Sequence, residues 1–146
     1  MMADLFSSGG MQALELTLQF AGQRQRLIQS NIANIDTPDY RPMDVSPAKF
    51  QKSLARAIAA REQLGGDQAG GPLLLNDSRE IVQQADGSIR LNPQTASGNV
   101  LFHDRNNRDL ERLMQGLAEN TTTYRVAADL LRSRYDVLRT AISQRV

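Results

Sequence analysis

The sequence predicts a mainly α-helical protein whose long N- and C-terminal helices form an antiparallel coiled-coil-like pair. Two observations predict these helices. Apolar residues recur at alternating intervals of three and four near the N-terminus, and they do so again near the C-terminus. A third observation separates them, since the middle of the chain has no sustained period and is rich in glycine and proline. We therefore predict three segments, with boundaries at 1–40, 41–105 and 106–146.

The first long helix is predicted from about residue 10 to residue 35. Its apolar positions form a heptad seam in which only one member is polar: Met11, Leu14, Leu18, Ala21, Gln25, Ile28, Ile32 and Ile35. Leu16, Phe20 and Leu27 lie off this seam and give the helix a second apolar side. The rest of its surface is mostly glutamine, with few charges. An uncharged helix that is apolar on two sides is typical of burial among several partners.

The run SNIANIDTPDY at residues 30–40 ends this helix. Pro38 excludes the helical conformation at the residue before it, and proline favours the second position of a turn, so Thr37 to Tyr40 are predicted to form one. Asn31 and Asn34 are three residues apart and are expected to shape this turn from one side of the helix. The simpler interpretation is an ordinary helix stop, and the alternative is a feature used in docking.

The middle segment is predicted to be irregular, with one short helix over residues 48–64. Residues 65–72 have the composition of a flexible linker. The dipeptide Asp86-Gly87 lies between two short apolar runs and indicates a small hairpin.

The second long helix is predicted to begin near Asn106 and to continue for about 37 residues, or roughly 55 Å. Its heptad positions are almost all apolar or aromatic: Leu110, Met114, Leu117, Thr121, Tyr124, Ala128, Leu131, Tyr135, Leu138 and Ile142. We expect this seam and that of the first helix to carry the assembly contacts of the protein.

Composition argues against most other classes of protein. The net charge is +1, so nothing points to nucleic acid, and no apolar run approaches the length of a membrane span. There is no cysteine, and His103 is the only histidine, so no catalytic residue, metal site or cofactor is expected. The N-terminus lacks the pattern of a cleaved signal peptide, and we expect none.

Taken together, the two ends of the chain resemble the flagellar basal-body rod proteins. The N-terminal motif of that family, N-x-A-N-x-D/N-T-P-G-Y, stands here as NIANIDTPDY at residues 31–40. The C-terminal half of the resemblance lies in the runs NNRDLE from Asn106, LAEN from Leu117 and LRTAI from Leu138, with Tyr124 between the last two. The last two runs and the short length are most similar to the proximal rod subunits.

Two positions depart from the family pattern. Asp39 replaces the glycine of the turn, and because aspartate tolerates a positive φ less well than glycine, a type I turn is expected here. Arg108 stands where an apolar residue is usual, which affects the entry to the C-terminal helix.

The resemblance implies a structural protein that assembles through its terminal helices into the torque-transmitting rod in the periplasm. It implies export through the flagellar type III apparatus and contacts with itself, with the rod proteins FlgC and FlgF, with the adaptor FliE and with the MS ring or export gate. Two other interpretations stay open: another proximal subunit similar to FlgC, or a free-standing coiled-coil adaptor. An enzyme has no candidate constellation.

Overall fold

The computed structural model describes residues 8–64, 72–76, 78–95 and 110–144. In chain order the elements are α1 (Ser8–Ala33), β1 (Met43–Asp44), α2 (Pro47–Leu64), β2 (Ile81–Gln83), β3 (Ile89–Leu91), β4 (Gln94–Thr95) and α3 (Leu110–Ser143). Most of the predicted linker, His103, Arg108 and the predicted helix start near Asn106 lie outside the described residues.

The two long helices, α1 and α3, pack against each other along their lengths. Residues late in α3 meet residues early in α1: Tyr135 lies beside Glu15, whereas Thr121 lies beside Gln25. The pair is therefore antiparallel, and the predicted mainly α fold is confirmed.

The middle of the chain packs on the opposite side of α1 from α3. Leu16 and Phe20 of α1 are buried in a core that the middle region completes with Val45, Phe50, Ala57, Leu73, Leu75, Ile81 and Ile89. The rings of Phe20 and Phe50 are stacked, with centroids 4.2 Å apart and an interplanar angle of 6°. The second apolar side of the N-terminal helix is thus used within the chain itself.

Helix α2 begins where local chemistry favours a start. Ser46 precedes it, and its hydroxyl accepts a bond from the Lys49 N–H at 3.4 Å, as an N-cap residue does. Pro47 occupies the first helical position, where its missing N–H costs nothing.

Strands β2 and β3 form the small antiparallel hairpin that Asp86-Gly87 indicated. Gly87 has φ of 83°, and the Gln84 N–H donates to the Ser88 carbonyl at 2.8 Å across the turn. A second antiparallel ladder joins β1 to β4 and was not predicted from the sequence. Its strands have two residues each, which is too short for a periodic signal.

The turn at Asp39 differs from its prediction. The Tyr40 N–H donates to the Thr37 carbonyl at 3.3 Å, which closes a β-turn, but Asp39 has φ of 59°. A positive φ at the third position belongs to a type II turn, so the expected type I turn is wrong. Aspartate is among the few non-glycine residues that populate this region, so the turn forms without a glycine at its third position.

Because Asp39 carries the cost of a positive φ, we expect Asp39→Gly to raise the free energy of unfolding by about 0.5 kcal/mol. Urea unfolding followed by circular dichroism measures the change. Asp36→Gly is the matched control, since Asp36 is exposed just before the turn and has no positive φ, and it should not stabilise the protein. If Asp39→Gly were no more stable than the control, the strain at Asp39 would be contradicted.

Candidate assembly surface

The residues predicted for the α1 seam occupy different depths. Ile28 is buried, with 2% of its surface exposed, and borders a cleft that α3 also lines. Five other apolar members of the seam are half-buried: Met11, Leu14, Leu18, Ile32 and Ile35. The fully buried positions of α1 also include Ala21, at the level where Asn120 of α3 binds it.

The α3 seam is much less covered than its apolar pattern suggests. Leu117 and Leu131 are half-buried, whereas the other large members are 45–72% exposed: Leu110, Met114, Tyr124, Tyr135, Leu138 and Ile142. We call these six exposed residues the seam row. The buried residues of α3 are instead Asn120 and Ala127. At 100° per residue, the predicted seam lies roughly 50° to one side of the face that meets α1.

A buried polar cluster fixes how α3 sits along α1. Asn120 is 4% exposed and donates from Nδ2 to the Ala21 carbonyl and to Gln25 Oε1, both at 2.8 Å. Gln25 in turn donates from Nε2 to the Thr121 hydroxyl at 3.2 Å. A polar group inside an apolar helix contact favours the one alignment that satisfies it. Sequence reasoning used Asn120 only as part of a motif, although an asparagine inside a heptad pattern could have signalled this role.

Further along the pair, the Tyr135 hydroxyl donates to Glu15 Oε1 at 3.2 Å. This bond to a carboxylate raises the pKa of Tyr135. Closer to the centre, Tyr124 lies over Gly22, where a Cβ would be 3.7 Å from the tyrosine ring. Both tyrosines thus touch α1 with one edge and present the remainder to solvent.

The turn motif is organised by Asn31, which is 3% exposed. Its Nδ2 donates to the Met43 carbonyl at 2.7 Å, and its Oδ1 accepts from the Met43 N–H at 3.1 Å and the Tyr40 hydroxyl at 2.9 Å. One side chain at the end of α1 therefore holds the chain as it leaves the turn. Asn34 has a smaller part, since it donates to the Ser30 carbonyl at 2.8 Å and accepts a long bond from the Thr37 hydroxyl.

Two ion pairs hold the strand and helix that follow the turn. Arg24 of α1 contacts both carboxylate oxygens of Asp44, at 2.9 and 2.8 Å. Glu80, which is 8% exposed, accepts from Lys49 Nζ and from the Ser46 N–H. These bonds, the lysine contact first, hold the pKa of Glu80 below its ordinary value against the opposing effect of burial.

A cleft of about 770 Å³ lies beside these pairs, between α1, the β1–β4 ladder and the first turns of α3. It is lined by charges of both signs, including Arg24, Asp44, Glu80, Arg112 and Glu119. Asp44 and Glu80 are held in the two ion pairs described above. Within the described ranges, no three histidine, aspartate or glutamate side chains converge as a metal site would require.

The comparisons with known proteins identify relatives along most of the chain. No protein-family model matches the chain. It is 31% identical to the flagellar basal body rod protein FlgB of Bacillus subtilis over 137 residues, which cover 93% of this chain and 95% of that protein. The chain belongs to the FlgB family of flagellar basal body rod proteins. The FlgB of Salmonella typhimurium is 30% identical over 80% of both chains, and that of Yersinia ruckeri is 27% identical over 84% of this chain and 85% of its own.

This family membership confirms the resemblance found in the sequence and identifies a structural protein of the flagellar basal body rod. In the described part of the chain, no helix is long and apolar enough to cross a membrane.

The structure adds a second exposed apolar stripe on α3 that sequence reasoning missed. Val126, Leu130 and Val137 are 46–52% exposed, and we call them the outer row. Their intervals of four and seven residues also match a helical period. The sequence pattern was assigned to one seam per helix, and this second row was therefore overlooked. On helical geometry the seam row and the outer row lie on opposite flanks of the face that meets α1.

Proposed function

We propose that this chain is a subunit of the proximal rod that assembles with itself and with other rod proteins through α1 and α3. The observation that carries the proposal is the seam row, in which six large apolar side chains are 45–72% exposed along one flank of a single helix. Soluble monomers rarely leave so extended an apolar stripe uncovered. The assembly residues predicted from the sequence are therefore proposed as contacts, with the half-buried α1 seam beside them.

The geometry of the helix pair suits a subunit that transmits torque. Helix α3 has 34 residues, which is roughly 51 Å of continuous helix. Asn120 and Gln25 fix its alignment on α1, and the middle region braces α1 from the other side. A load applied along or around this pair is opposed by buried contacts, because sliding would leave buried polar groups without partners.

The proposed partners follow from the place of a proximal subunit in the rod. They are the rod proteins FlgC and FlgF, the adaptor FliE and the MS ring or export gate, reached after export through the flagellar type III apparatus. The relatives support the basal body as the location.

The proposal predicts that Leu138→Asp and Ile142→Asp abolish swimming while the isolated subunit stays folded. Both side chains are exposed, at 47% and 72%, so the expected change in stability is within about 0.5 kcal/mol. Buried in an assembly contact, the same carboxylate costs several kcal/mol. The measurement is swimming in soft agar by a strain that carries only the variant gene, together with the amount of subunit in isolated basal bodies.

Ala59→Asp is the matched control, since Ala59 is exposed on α2, which packs on the opposite side of α1 from α3. It adds the same charge to an exposed helical position and should leave swimming intact. Normal swimming and normal incorporation of both seam variants would overturn the assignment of the seam row to assembly.

A further inference from the structure

Helix α3 carries different charges beside its two exposed apolar rows. Arg125, Arg132 and Arg139 recur every seven residues along the edge of the seam row that faces away from α1. Asp129 and Asp136 also recur at an interval of seven, and they line a shallow groove together with Ser133, Val137 and Ala141 beside the outer row; Arg132 and Thr140 also contribute to this groove. The seam flank is thus basic, and the outer flank is bordered by acids.

Within the part of the chain that the structure describes, these charges form no ion pair. Although Arg125 and Asp129, and likewise Arg132 and Asp136, are four residues apart, no ion pair joins them in the described part of the chain, where the ion pairs are Arg24–Asp44 and Lys49–Glu80. An Arg placed four residues before an Asp is also the weaker orientation for a pair within a helix. Five charged side chains at one common spacing are therefore available to a neighbour.

We propose that the seam row of α3 in one subunit packs against the outer row of α3 in a second copy of the same chain, with Arg125, Arg132 and Arg139 facing Asp129 and Asp136. The proposal rests on the proposed assembly function and specifies the partner of that surface. Seven residues of helix rise about 10.5 Å, so the two charge rows match in pitch. Small residues at Ser133 and Ala141 leave room beside the outer row for the tyrosines and leucines of the seam row.

Charge decides against the symmetric alternatives. Pairing two seam rows antiparallel would place arginines opposite arginines, and pairing two outer rows antiparallel would bring aspartates together. If like rows paired in parallel, their charged edges would lie on opposite sides of the contact and would stay unpaired. Only the unlike pairing neutralises both edges. This pairing uses two different patches of each subunit, so one patch stays free at each end of the assembly. It therefore propagates as a helical stack in which all copies of α3 point in one direction.

Disulfide cross-linking tests this pairing cleanly because the chain contains no cysteine. Single variants are Tyr135→Cys and Leu138→Cys in the seam row, and Leu130→Cys and Val137→Cys in the outer row. One seam variant and one outer variant are produced together in the same cells, and only cells that swim are used. These cells are treated with an oxidant, and their isolated basal bodies are analysed by non-reducing electrophoresis. We expect subunit dimers in the mixed samples, none with either variant alone, and a ladder when both cysteines are in one chain.

Ala59→Cys, on the exposed side of α2, paired with an outer-row cysteine controls for random collision and should give no dimer. The pairing is overturned by cross-links within single-variant samples, by cross-links only to a different rod protein, or by no cross-link in any mixed sample. Incorporation into basal bodies is measured in the same samples. Variants that are incorporated without cross-linking overturn this contact alone, whereas a subunit absent from basal bodies overturns the proposed function as well.

Discussion

Phe50→Ala is expected to lower the free energy of unfolding by about 3–5 kcal/mol, because it removes a large buried side chain and leaves a cavity. Phe50 is 3% exposed and stacks on Phe20, which is 4% exposed. This stack is a direct apolar contact between α2 and α1, within the core that Leu16 of α1 and Ala57 of α2 also share. Removing one ring leaves the other without its partner, so the two aromatic contributions are lost together.

The loss should appear first in the middle region. Urea unfolding followed by circular dichroism gives the global change, and amide hydrogen exchange locates it. We expect faster exchange in α2 and in the β2–β3 hairpin before any change in the centre of α3. Val82→Ala is the control in the same region, because Val82 is 42% exposed and its truncation should cost less than about 0.5 kcal/mol. Equal losses for the two variants would show that the stack does not hold the middle region on α1.

The glutamines of α1 explain why the middle region sits where it does. Gln19 Oε1 accepts from the Ile89 N–H at 2.9 Å, while Gln23 accepts from the Leu91 N–H and donates to the Ile89 carbonyl. These side chains bind the edge of β3 much as a neighbouring strand would. Gln12 accepts in the same way from the Leu73 N–H at 2.8 Å. An uncharged helix surface can thus reflect backbone partners within the chain as well as partners in an assembly.

The sequence was most informative where a period or a turn rule applies. Heptad spacing predicted α1 and α3, Asp86-Gly87 predicted the hairpin, and Pro38 predicted the end of α1. The glutamine contacts with β3 join residues about 70 positions apart. No periodic spacing in a single sequence predicts contacts between residues so far apart. The orientation of α3 was only approximate for a related reason. The seam row, the outer row and the face of α3 that meets α1 all contain apolar residues at helical spacing. The spacing therefore does not identify the face that meets α1, and Asn120, which is buried in that face, is polar.

The same limit applies to the turn. The motif predicted where Asn31 and Asn34 would lie but ranked them equally, because residues three apart share a side of the helix. In the structure Asn31 is buried and Asn34 is only half-buried. The difference arises from the returning chain, which passes Asn31 at Met43 and does not pass Asn34.

Asn31→Ala is accordingly expected to lower the free energy of unfolding by about 2–4 kcal/mol, since it leaves the N–H and carbonyl of Met43 without partners and frees the Tyr40 hydroxyl. Asn34→Ala is the matched control, and its loss should be below about 0.5 kcal/mol because its bonds are exposed. Asn31→Asp should fall between them at neutral pH, since it keeps the acceptor for Tyr40 and the Met43 N–H but loses the donor to the Met43 carbonyl. Urea midpoints for the three variants rank these costs directly. If Asn31→Ala and Asn34→Ala were equally mild, the returning chain would be held by the Arg24–Asp44 pair rather than by Asn31, and Arg24→Met would then produce the larger loss.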